Sequence, residues 1–121
     1  MKSNKSSLVV TTLLTGILVG AVFAGSASAA DPVDTAKLWS KNCQTCHGAD
    51  GKGKTKSGEK AGVKDLTSAE VKKELTKEKA IKSMKEGIKE KDSDKLAMKS
   101  FSEKLSAEEI EALADYSLAF K

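Results

Sequence analysis

The chain has 121 residues, 21 basic against 17 acidic, and a formal net charge of +4. Every basic residue is lysine. Without arginine to fork onto base edges, and with few aromatics to interleave, the composition excludes a reader of nucleic-acid sequence.

The first thirty residues, "MKSNKSSLVVTTLLTGILVGAVFAGSASAA", have the layout of an export leader: Lys2 and Lys5 open it, an apolar stretch from Leu8 to Phe23 follows, and "ASA" (Ala27 to Ala29) supplies small residues for cleavage after Ala29 or Ala30. The apolar run is short for a bilayer crossing, and small residues rather than a charge cluster follow it. No permanent membrane anchor is expected. Residues 31–121 are then one small domain. Its basic residues, less Lys2 and Lys5, number 19 against 17 acids, a charge of about +2. Its aromatics are Trp39, Phe101, Tyr116 and Phe120, a thin stock for a core, and chains of this size often need an insert other than side chains.

The spacing predicts a helical domain. A first helix begins at "DPVD", with Asp31 as cap and Pro32 in the first turn, and runs through "TAKLWSKNC". The glycine-rich "GADGKGKTKSGEKAGVKD" reads as a loop throughout. A second helix opens at "TSAEVKKEL", where Thr67 and Glu70 have capping-box spacing. The next, "KEKAIKSMKEGI", places Ile81, Met84 and Ile88 on one stripe, with Gly87 as its stop. "KEKDSDKLAMKSF" reads as irregular. The last helix, "SAEEIEALADYSLAF", starts with a second capping box, Ser106 and Glu109, and puts Ile110, Leu113, Ala114 and Ser117 on one face. No alternation of the kind strands need is evident.

Both cysteines and the sole histidine fall in "CQTCH", Cys43 to His47. Cysteines three apart on a helical turn project from one side, and His47 follows about a quarter turn round. Cys-x-x-Cys-His is the pattern of c-type haem attachment, with Cys43 and Cys46 forming thioethers and the His47 imidazole binding iron. A thioredoxin-type dithiol switch would need a βαβ setting and a second proline, and Pro32 is the only one. A structural disulfide leaves His47 unexplained. Zinc would need a fourth ligand and simultaneous binding by adjacent Cys46 and His47.

A second axial position remains on such an iron. No second histidine exists, and thioether sulfur is the usual alternative. Met84 and Met98 lie beyond the leader. Met84 sits on an apolar helical stripe, where methionine is more often core filler, whereas Met98 lies in an irregular segment able to lay its sulfur on the opposite haem face. Met98 is the favoured ligand; an open position and a lysine ligand are the alternatives.

The order Leu-Trp-x-x-x-Cys-x-x-Cys-His-Gly-x-Asp-Gly-x-Gly, then "AMKSF", then "LSAEEIEALADY", closely resembles the small soluble class I (monohaem) cytochromes c of bacteria over essentially all of residues 31–121. The resemblance implies an all-α, cytochrome c-like fold: four to five helices around one covalently bound haem c, with the N- and C-terminal helices packed crosswise. Ala36 and Trp39 should meet Leu113 and Tyr116 at that crossing, with Met98 as axial ligand and Trp39, Leu66 and Phe101 around the haem. Two positions depart from the family. Thr35 stands where glycine is common, implying a wider crossing, and Lys64 stands where proline is common. A main-chain oxygen near Lys64 is therefore expected to accept the His47 Nδ1 proton.

With both axial positions filled, the expected function is diffusible one-electron transfer between redox protein donors and acceptors in the periplasm or an equivalent exported space, as a monomer and not as an enzyme. Lys41, Lys52, Lys54, Lys95 and Lys99 could steer a partner with an acidic docking surface or serve only solubility. The alternatives are a haem peroxidase or gas sensor with a displaceable ligand, and a module docked on a respiratory complex.

Overall fold

The computed structural model describes residues 32–121. The leader and the expected cap Asp31 lie outside the described residues.

Helix α1 (Thr35–Asn42) starts later than "DPVD" suggested. Asp34 is its cap, the carboxylate accepting from Lys37 N–H at 3.1 Å, which is the reach of a cap to the third helical residue. Pro32 stays outside the helix. The helix breaks at Cys43, and α2 (Gln44–His47) is a single short turn closed by Gly48 at φ 78°.

The glycine-rich stretch is not all loop, as it contains α3 (Lys56–Ala61). Thr55 caps it, accepting from Gly58 N–H at 2.9 Å, and Gly62 ends it in the left-handed conformation. Two good end signals sustain six helical residues that the surrounding glycines and lysines had hidden.

Helix α4 (Ala69–Glu74) is capped by Ser68, not Thr67. The Thr67 hydroxyl donates instead to Asp65 at 2.6 Å, so the Thr67–Glu70 box does not form.

Helix α5 (Lys77–Glu86) ends at Gly87 as expected. Ile88 is therefore not on the helical stripe. It opens β1 (Ile88–Lys89), which pairs antiparallel with β2 (Leu96–Met98), Ile88 opposite Met98 and Lys89 opposite Leu96. The segment read as irregular is a small hairpin, its strands too short for alternation to register.

Helix α6 (Ala107–Leu118) has the expected capping box, with Ser106 N–H to Glu109 Oε2 at 2.8 Å and Glu109 N–H to Ser106 Oγ at 3.2 Å. Ile110, Leu113, Ala114 and Ser117 are all buried, and Ser117 Oγ is satisfied by the Ala114 carbonyl at 2.7 Å.

Among the described residues the architecture is all-α with one two-stranded hairpin. The helical segments there number six rather than four or five, because the first helix breaks at Cys43 and the loop contains α3. Helix α1 packs on α6 through Trp39, whose ring lies 5.4 Å from Tyr116 and 4.9 Å from Phe120. Each aromatic pair contributes about 0.5–1.5 kcal/mol beyond its buried area. The Lys77–Asp115 ion pair between α5 and α6, at 2.8 Å, is exposed and screened by solvent, so it adds little to this packing. Ala36, expected at the crossing, is exposed, while Thr35 is half-buried. Thr35 stands four residues before Trp39 and shares its face more closely than Ala36, three before.

Candidate haem site

The break after Asn42 lets the attachment segment turn across the end of α1. Trp39 Nε1–H donates to the Gly48 carbonyl at 3.0 Å in a buried bond, fixing the residue after His47. The Trp39 and His47 rings lie 5.6 Å apart. Cys43 is buried and Cys46 half-buried, and both are free thiols. Burial, followed by the charge of Cys46, raises the Cys43 pKa to about 11. Burial also lowers the pKa of His47, favouring the neutral imidazole whose lone pair can bind a metal.

These residues open onto a cavity of about 250 Å³. Cys43, His47 and Trp39 form one wall, Lys64 and Leu66 enter from the loop, Ala80 and Met84 from α5, and Ala97 and Met98 from the hairpin. The fold thus brings Trp39, Cys43, His47, Lys64, Leu66 and Met98 to one space. Cys46 and Phe101 do not line it. Cys46 is half-buried, and Phe101 is half-buried against the core with its N–H on the Met84 carbonyl at 2.7 Å. The bond expected for His47 is not made: Nδ1 is buried with no hydrogen-bond partner among the described residues. The Val63 carbonyl, next to Lys64, lies against Gly53 instead.

Sequence reasoning missed Val71 of α4, Leu75 just after that helix, and Ala80 of α5, all of which line the cavity. Their signal was the four-residue spacing within each pair, Val71 with Leu75 and Ala80 with Met84, which puts both members on one helical face. Met84, expected as core filler, is 7% exposed and also lines the cavity.

A neutral imidazole, a buried thiol and thioether sulfur around an apolar space suit iron held in a flat apolar macrocycle. Among the described residues no group of three or more His, Cys, Asp or Glu could hold a bare metal ion. The fold and this donor set define a c-type cytochrome. Residues 30–116 match the family model described as "Cytochrome C oxidase, cbb3-type, subunit III", and the chain belongs to that family. The chain is similar to a solved structure named "KustC0563 c-type cytochrome", with 36% identity over 74% of this chain and 99% of that one and a TM-score of 0.65. A single-substitution mutant of that cytochrome is similar at 36% identity, over 74% and 100% of the two chains, with a TM-score of 0.63. No curated protein matches.

Membership gives the cofactor as covalently bound haem c, and Cys43 and Cys46 stand in the pattern that attaches it. The function at this level is haem-based electron transfer, with haem attachment outside the cytoplasm. Among the described residues no helix is long and apolar enough to cross a membrane.

Proposed function

We propose that the protein is a diffusible, monomeric one-electron carrier, exported to the periplasm or an equivalent space after loss of residues 1–30, with His47 and Met98 as the axial ligands of its haem. The observation that carries this reading is that His47, from α2, and Met98, from β2, line the same cavity from separate elements. When bound, the haem iron supplies a reversible one-electron couple, and thioether ligation raises its potential. The chain's own residues hold the ligands: Trp39 pins the turn after His47, and the pairing of Ile88 with Met98 fixes the hairpin.

The cavity wall counts against peroxidase chemistry. Among the described residues its ionisable lining is Cys43, His47 and Lys64, with no carboxylate and no second histidine to move a proton on the face away from His47. Replacing Met98 by Ala should abolish the weak long-wavelength charge-transfer band that reports thioether sulfur on ferric iron; persistence of the band would overturn the assignment. Carbon monoxide should bind the reduced Met98→Ala protein promptly and the reduced wild type poorly. Prompt binding to the wild type would favour the sensor or catalyst reading.

The family description names an oxidase subunit, which favours a second reading as a docked module. Copurification with a membrane-bound haem complex from gently lysed cells would support that reading, and recovery as a free monomer supports the carrier.

A further inference from the structure

A second groove adjoins the cavity on the side of α4 and α5. It shares Lys64, Val71, Leu75 and Ser83 with the cavity, so the two are continuous, and it adds Glu74, Lys79 and Lys82. No residue of α1 or α2, where the attaching cysteines lie, lines it. Three ammonium groups face one carboxylate there, a surplus of two positive charges at the margin of an otherwise apolar space. Their existing partners leave that surplus available. Lys64 Nζ is 3.9 Å from Glu74 Oε2, but the two side chains are 74% and 67% exposed, so the pair is weak. Lys79 Nζ donates to the Glu74 main-chain oxygen at 2.7 Å, which leaves its charge unpaired. Lys82 makes no ion pair or side-chain hydrogen bond among the described residues.

Haem c carries two propionate carboxylates on the edge of the porphyrin opposite its thioether-bearing edge. We propose that this groove receives the propionates, with Lys82 and Lys64 as their cationic partners and Lys79 adding to the field. The inference rests on the haem reading above and deepens it. Two carboxylates balance the two surplus ammonium charges, and the groove meets the cavity on the side of α4 and α5 rather than at the cysteines. Ammonium groups beside the propionates favour the reduced haem, which has one more negative charge than the oxidised form.

The test uses the haem-loaded protein and reads the midpoint reduction potential of Lys82→Gln, the double variant Lys64→Gln/Lys82→Gln, and Lys37→Gln. Lys37 is an exposed α1 residue outside the groove that supplies the same charge change. The groove variants should shift to lower potential, the double variant further than the single, and added salt should diminish that shift less than it diminishes any shift of Lys37→Gln. Lys37→Gln should move little, and that movement should vanish with salt. Lys82→Arg should return to near the wild-type value. In reduced-minus-oxidised infrared spectra, a propionate carboxylate band should move in Lys82→Gln and not in Lys37→Gln. Equal shifts in groove and control variants, or no shift in either, would overturn the groove assignment while leaving the cytochrome intact. A wild-type protein that carries no haem would instead overturn the reading on which it rests.

Discussion

Thr55 secures the haem-attachment turn from outside the cavity. Its Oγ1 lies 2.8 Å from the Thr45 carbonyl and 3.0 Å from the Cys46 carbonyl, its single proton shared between them, while it accepts the Gly58 N–H. Gly58 completes the contact, because a Cβ there would collide with the carbonyls of Cys46 and Gly53. One hydroxyl thus joins α2 to α3 and holds the main chain between the two cysteines. Thr55→Val keeps the shape and removes the bonds, so the ferric protein should lose about 1–2 kcal/mol in denaturant unfolding. Thr55→Ser should recover most of it. An unchanged midpoint in Thr55→Val would show that the loop holds the turn by packing alone. The motif Cys43 to His47 was fully legible in the sequence because its chemistry lies in residue identity and spacing. Thr55 was not, because its partners lie nine and ten residues back and only the folded loop brings them together.

The two capping boxes show how far local pattern reaches at the level of elements. Ser106 and Glu109 form both reciprocal bonds at the start of α6, and Ser106→Ala should cost about 1 kcal/mol. For a domain of this size that corresponds to a fall in Tm of roughly 4–8 °C, measurable by thermal unfolding; a change under a degree would mean the cap is idle. Thr67 and Glu70 have the same spacing and form no box, since Asp65, two residues before, takes the Thr67 hydroxyl at 2.6 Å and Ser68 becomes the cap. A cap is a competition among nearby acceptors, and spacing alone does not name the winner. The hairpin was missed for a different reason. Its pairing of Ile88 with Met98 joins residues ten apart, and nothing local in "KEKDSDKLAMKSF" records it.

Charge acts at the scale of the whole molecule. A net charge of about +2 on residues 31–121 is small, so any steering toward an acidic redox partner must come from local lysine density and should be modest, within about tenfold in rate. The rate of electron exchange with an acidic partner should fall as ionic strength rises and the Debye length drops below about 10 Å. A flat response would leave the lysines to solubility. Apolar surface offers a second handle, since Ile88 and Leu96 on the hairpin are 44% and 48% exposed and Ile88 also lines the cavity.

The helical class, the last helix with its cap and buried face, and the Cys43 to His47 attachment motif could all be read from the residues alone, because helix periodicity and cofactor chemistry are written in residues a few positions apart. Folding in three dimensions was needed to show that Met98 and His47 share one cavity, that Ala36 is exposed while Thr35 is half-buried, that a hairpin carries Met98, and that a lysine groove adjoins the cavity at Ser83. These are relations between segments separated along the chain, and their geometry is set by how α1, α5 and α6 pack rather than by the nearest neighbours in sequence.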